Sequence, residues 1–271
     1  MLVGAILLFQ PASSALAATS VGLGTAGSFS VLGGSTVTNT GATVISADAG
    51  VGGNLGVSPG SAVTGFPPGI VDPPGTIHVT DAVAGQAQSD LTIAYNNAAG
   101  QSCNDNLTGS DLGGLTLTTG VYCFSTSAQL TGTLTLNAEG NPDAVFIFQI
   151  GSTLTTGSNS TVAMLNGAQA CNVFWQIGSS ATLGTGTAFS GTVMALTSIT
   201  AVTGADIEGR LLARNGAVTL DDNTIHTPAC APSSGVAQAP LFGRAGSGVA
   251  LAGFLAGAGV LVLRRRRRPA D

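Results

Sequence analysis

A short stretch of this chain comes back a second time. Phe148-Gln149-Ile150-Gly151-Ser152 returns as Trp175-Gln176-Ile177-Gly178-Ser179, 27 positions later. Val193-Met194-Ala195 is followed after 18 positions by Leu211-Leu212-Ala213, and Val121-Tyr122-Cys123-Phe124 precedes Val145-Phe146-Ile147-Phe148 by 24. A repeat this short cannot bury its apolar side alone, so successive units must stack and share one core. The spacing predicts coils of 18 to 27 residues, each holding three short strand-like pieces.

The pieces fall into three sets. The first is apolar on both sides (121–124, 145–150, 173–177, 193–195 and 211–213) and therefore needs cover on both faces. The second alternates, as in Thr153-Leu154-Thr155, Ala181-Thr182-Leu183, Ser198-Ile199-Thr200 and Val218-Thr219-Leu220, so apolar residues point in and hydroxyls out. The third includes Thr133-Leu134-Thr135, Val162, Phe189, Ile207 and Ile225, with charge at Asp206 and Glu208. Three strands per turn predict a mainly β, three-faced solenoid. Residues 81–99 carry Val83, Ala87, Leu91, Ala94, Tyr95 and Ala98 on one helical stripe, with Thr80 placed as N-cap. One long helix along the first set supplies its outer cover. Residues 66–69 and 104–110 read as turns, and Trp175, Phe146, Phe148 and Phe174 as core under the helix.

Charge narrows the function. The chain has 13 acidic residues against 8 basic ones, all arginine, and five arginines form the run 264–268. Without that run, Arg244 and Asp271, the remainder holds 12 acids and two arginines, about −10. Nucleic-acid binding, which needs a basic footprint, is excluded. The ends carry targeting signals. Residues 1–17 combine an apolar stretch with Ala15-Leu16-Ala17, the pattern of a signal peptide. Residues 18–230 form the folded domain and 231–243 a Pro/Ser/Ala/Gly linker. Residues 244–263 are expected to form a C-terminal transmembrane helix and 264–271 a cytoplasmic basic tail. The domain is expected outside the cell, anchored in the membrane or released after tail processing. In that oxidising setting Cys103, Cys123, Cys171 and Cys230 favour disulfides; of three connectivities the reading prefers 103–123 with 171–230.

Several segments then converge on one family. Residues 33–43 (GGSTVTNTGAT), 56–69 (GVSPGSAVTGFPPG), 94–98 (AYNNA), 120–124 (GVYCF), 143–150 (DAVFIFQI), 172–177 (NVFWQI) and 209–214 (GRLLAR) resemble the microbial ice-binding protein family, long labelled a domain of unknown function. The resemblance covers roughly residues 23–230 in the expected order. It implies a right-handed discontinuous β-solenoid with a parallel helix, and affinity for ice.

Ice offers a regular oxygen lattice without charge, so its receptor should be flat, stiff, uncharged and short in side chain. Threonine fits: β-branching leaves few rotamers and favours strands. Thr-x-Thr strands stacked about 4.8 Å apart give a grid of methyls and hydroxyls. The second face meets these conditions. Its outward pairs are read as Thr36/Thr38, Ala62/Thr64, Gln129/Thr131, Thr153/Thr155, Ser180/Thr182, Ser198/Thr200 and Ala217/Thr219. The predicted contact residues are Thr36, Thr38, Thr64, Thr131, Thr153, Thr155, Thr182, Ser198, Thr200 and Thr219. Active members of the family resemble one another in a T-A/G-x-T/N motif. It occurs here at 40–43, 156–159 and 200–203, at the exits of second-face strands.

Other chemistry was weighed against this. A polysaccharide-lyase site would have only Asp221, Asp222, Arg210 and Arg214, and Arg210 is better explained by pairing with Glu208 or Asp206. Runs 104–106 and 221–223 read as turns rather than calcium loops. With no CxxC, no lysine and only two histidines, which lie about 150 residues apart, neither a metal site, a cofactor nor an enzyme is expected. The leading expectation is an exported, membrane-anchored, monomeric solenoid whose partner is the ice surface. The alternative is a cell-surface adhesin or envelope module binding glycan or protein.

Overall fold

The computed structural model describes residues 18–231. The expected signal peptide, residues 232–243 of the linker, the apolar segment 244–263 and the basic tail lie outside the described residues. Among the described residues no helix is long and apolar enough to cross a membrane.

Parallel strands stack in coils of three, as the repeat requires. A seven-stranded sheet forms the second face, and fifteen strands form a sheet that wraps the other two. That sheet stays continuous because Ala188–Ala195 and Asp206–Ala213 run around the corner from the third face to the first. Gly191 and Gly209 pair at this corner. Gly191 has φ +116, and a Cβ on Gly209 would lie 1.9 Å from the Gly191 carbonyl oxygen. The bend therefore has no room for side chains.

Stacking order departs from chain order. The last coil pairs with the first: Leu211 with Val31, Val218 with Val37, and Ile225 with Ile45. The coil formed by Asn54–Val57, Ala62–Thr64 and Ile70–Val71 follows, and Ile77–Val79 ends the first face. At the opposite end lie Asp105–Asn106 and Thr116–Leu117. The solenoid is thus discontinuous, and the helix Ala82–Ala99 carries the chain back from one end to the other.

The helix buries Ala84, Ala87, Leu91, Ala94, Tyr95 and Ala98 against Val121, Ile147, Phe174, Met194, Leu212 and Leu32 of the first face. Four alanines on that stripe let the helix lie close to the sheet. Two details differ from expectation. Asp81, not Thr80, is the N-cap: its Oδ1 accepts from the Ala84 N–H at 2.8 Å, while Thr80 lies in the left-handed region. Val83 is 46% exposed and Ala84 takes its place on the stripe. At the other end the Gln149 side-chain amide donates to the carbonyls of Ala98 and Gln101, both at 2.8 Å, and closes the helix C-terminus.

The interior between the three faces is a second, larger core. Tyr122, Phe148 and Trp175 occupy equivalent positions in successive coils, with Phe148 and Trp175 stacked at 3.9 Å and Phe189 tilted on Trp175 at 4.9 Å. Trp175, Phe146 and Phe148 therefore lie inside the solenoid, and only Phe174 of that group faces the helix. Strand alternation explains the split, since Phe174 is flanked by inward Val173 and Trp175. Arg210 also differs from expectation: it pairs with neither Glu208 nor Asp206, but is buried with its Nε donating to the Gly27 carbonyl at 3.1 Å. Burial lowers its pKa to about 10.

Cys103 is bonded to Cys123 and Cys171 to Cys230, as preferred from the sequence. The first bond ties the entry loop to the first-face strand Gly120–Phe124. Replacing both Cys103 and Cys123 by Ala is expected to cost about 3 kcal/mol, from the chain entropy of a 20-residue loop. Equilibrium denaturant unfolding measures it.

Candidate uncharged face

The second face is built from strands Ala128–Leu130, Leu154–Thr156, Ala181–Leu183, Ile199–Ala201, Val218–Asp221, Thr36–Thr40 and Ala62–Thr64, in that order. In each of the middle strands an outward residue sits between two buried apolar ones, such as Ala181 and Leu183 or Ile199 and Ala201. Burial of the flanking pair fixes which side chain points out.

Register then aligns the outward residues into columns. Along the central column Gln129 pairs with Thr155, Thr155 with Thr182, Thr182 with Thr200, Thr200 with Thr219, Thr219 with Thr38, and Thr38 with Thr64. Six consecutive threonines stand side by side, and the last two, Thr38 and Thr64, precede their neighbour Thr219 by 181 and 155 residues in sequence. With strands about 4.8 Å apart the file spans roughly 24 Å. Asp111 bridges to Gln129 at its end, but its carboxylate turns aside to accept from the N–H groups of Gly113 (2.7 Å) and Thr131 (2.8 Å). Burial pushes the Asp111 carboxyl upward, yet these donors outweigh it and hold it below the ordinary value.

On one side of the file stands a mixed column of Ser127, Thr153, Ser180, Ser198, Ala217, Thr36 and Ala62. The hydroxyls of Ser127, Thr153, Ser180 and Ser198 are engaged within the protein. Ser127 and Thr153 share a hydrogen bond of 2.8 Å, Ser180 accepts from the Ser198 N–H at 3.3 Å, and Ser198 accepts from the Ala217 N–H at 3.2 Å. The column on the other side holds Thr131, Gly157, Gly184, Val202, Asp221 and Thr40, in continuation of the register.

The structure therefore brings nine of the ten predicted residues into two adjacent columns and leaves one outside. Thr131 is displaced by one outward position: Gln129, not Thr131, is the equal of Thr155. The expected pairing of Gln129/Thr131 with Thr153/Thr155 is thus corrected to Ser127/Gln129 with Thr153/Thr155. Three positions beyond Phe124, Ile150 and Ile177 lie Ser127, Thr153 and Ser180, and counting from the first-face strands would have given this register.

The T-A/G-x-T/N segments are not equivalent in space. Thr200 lies on the face, but Thr156 and Thr43 are buried. Thr156 hydrogen-bonds to the Thr187 hydroxyl at 2.8 Å, and Thr43 accepts from the Asn223 N–H at 3.0 Å. Thr203 is taken up by a short hydrogen bond to Asp221. Asn223 itself closes the turn after the face, accepting from the Asp221 N–H and donating to the Val202 carbonyl. Among the described residues no group of three or more metal-ligating side chains comes together.

The ice-binding-like family profile matches residues 31–226. An ice-binding protein from Nostoc sp. (strain HG1) is 59% identical over 223 residues, covering 82% of this chain and 80% of that protein. The crystal structure of an ice-binding protein from an Antarctic biological consortium superposes with a TM-score of 0.73 at 47% identity, covering 82% of this chain and 96% of that one. An ice-binding protein from the Antarctic ascomycete Antarctomyces psychrotrophicus gives 0.71 at 41% identity, covering 77% and 98%. The mainly β architecture with parallel sheets and one packed helix is the fold of these proteins, and the chain belongs to the ice-binding-like family.

Proposed function

We propose that this protein adsorbs to ice through the threonine-rich second face and so limits ice growth or recrystallisation. The observation that carries the reading is the in-register file of six uncharged threonines, held over an apolar core. Relatives named as ice-binding proteins support the coarser activity, and their family is one of ice binders rather than enzymes. A solenoid face needs no cofactor for this: β-branched side chains are already ordered, so little rotamer entropy is lost when they meet a lattice. The proposal includes export and attachment to the membrane through residues 244–263, with the domain acting as a monomer. No observation favours the adhesin alternative. The test is ice recrystallisation inhibition and partition into a growing ice front by the purified chain. Inhibition with enrichment in ice is the expected result; a chain excluded from ice like an inert protein overturns the reading.

Activity and stability should respond differently to pH. Asp48 is held below the ordinary value of 3.8 chiefly by the Ala229 N–H, Asp81 by the Ala84 N–H, and Asp90 by the Thr25 hydroxyl. A carboxylate depressed in the folded state adds stability that is present above its unfolded value and is lost as pH falls through the folded one. The melting temperature is therefore expected to drop as pH falls below 3.8. None of the six file threonines titrates, so recrystallisation inhibition should stay flat between pH ~5 and ~8. A parallel series of thermal melts and ice assays checks both.

A further inference from the structure

We infer that ice contact is made by the single central file, and that the neighbouring column of the same face positions this file rather than touching the lattice. The inference rests on the ice-face reading above and assigns different roles to residues within it. The distinction lies in where the hydroxyls go. The hydroxyls of Thr64, Thr155, Thr182 and Thr200 make no hydrogen bond among the described residues, and those of Thr38 and Thr219 share only one long contact of 3.4 Å. Their donors and acceptors are open to water. In the next column Ser127 and Thr153 bond each other, and Ser180 and Ser198 hold backbone N–H groups of the following coil. Those serines staple coil to coil just where the chain enters the face. The staples set the strand spacing and direction from which the file takes its repeat.

Geometry on the other side agrees. Gly157, Gly184, Val202 and Asp221 interrupt any second row of hydroxyls there. What remains is one straight line of identical groups about 4.8 Å apart. Its matching ligand is an ice plane presenting straight rows of oxygens commensurate with that repeat. A plane that demands a two-dimensional grid of hydroxyls is matched less well. Parallel pairing makes such a line possible, because evenly spaced ladder bonds repeat the same backbone pairing at each residue of the file.

Thr36 supplies the control. Its hydroxyl is also without a protein partner, but Ala62 pairs with it, and the Val37–Val218 register sets Ala217 on its other side. It has the chemistry of the file without the neighbours. The experiment compares full-length wild type with Thr182→Val, Thr155→Val, Thr36→Val and Ser198→Ala, measuring partition into ice against concentration. Thermal melts are recorded for each. Valine keeps the branched shape and removes only the hydroxyl.

Each file variant is expected to lose affinity for ice about five-fold, the size of one lost hydrogen bond. Thr36→Val should change it less than about two-fold. Ser198→Ala should lower the melting temperature more than it lowers ice affinity of the folded protein. Gln129→Thr, which lengthens the file, should raise affinity. An equal loss at Thr36 and Thr182, or no loss at either file position, overturns the single-file assignment while leaving the face as the ice contact. A wild type that does not enter ice overturns the underlying reading instead.

Discussion

Replacing Thr200 by Tyr is expected to abolish ice shaping and recrystallisation inhibition without unfolding the protein. Thr200 lies in the middle of the file, with Thr182 and Thr219 on either side. Its flanking residues Ile199 and Ala201 are buried and untouched by the change. A phenol ring standing several ångströms above neighbouring methyl groups would hold the face off a flat lattice along much of its length. The melting temperature should barely move, because outward substitutions on a strand usually cost less than about 0.5 kcal/mol. Freezing hysteresis and recrystallisation assays read the first effect, and circular-dichroism melts the second. Retained activity with a normal melt would remove this face from the mechanism. Thr155→Tyr, nearer the end of the file, should show the same loss in weaker form.

A second substitution tests what keeps the face flat. Trp175→Ala is expected to destabilise the domain by about 4 kcal/mol, the usual cost of deleting a large aromatic from a packed core. Trp175 is fully buried, stacks on Phe148, meets Phe189, and donates its Nε1 hydrogen to the Ser190 carbonyl at 3.0 Å. Alanine would leave both a cavity and an unanswered carbonyl. For a domain of this size the melting temperature should fall by roughly 8–16 °C. The ring supports the same coil whose second-face strand carries Thr182, so ice activity should fail at a lower temperature than in wild type. A loss below about 1 kcal/mol would show that the neighbouring coils close the gap by themselves.

Much of the architecture was legible because local chemistry and global fold agree. The both-sided apolar strands demanded a cover, and the helical stripe read at 81–99 could supply it, as the helix Ala82–Ala99 does. The preferred pairing among three possible cysteine connectivities is the observed one. Failures arose where contacts between coils decide the outcome. Thr80 was the expected N-cap, but its left-handed backbone passes the role to Asp81. Arg210 looked like an ion-pair partner of nearby acids. Its strand, however, turns the guanidinium under the cover toward Gly27, a residue 183 positions away. Thr156 and Thr43 belong to hydroxyl-rich stretches like those on the face, yet hydrogen bonds at the corner draw them inward.

By itself the sequence determined that this chain stacks short coils, which side of each strand is apolar, and that one face is free of strong charge. Alternation and repetition are local properties, and they survive any uncertainty about which coil lies on which. Tertiary structure alone decided that Thr38 and Thr64 stack beyond Thr219 and so continue the line begun by Thr155. A parallel ladder can slide in steps of two residues without exposing its apolar side. Only the packing of rings and helix against the first face fixes where each coil stops.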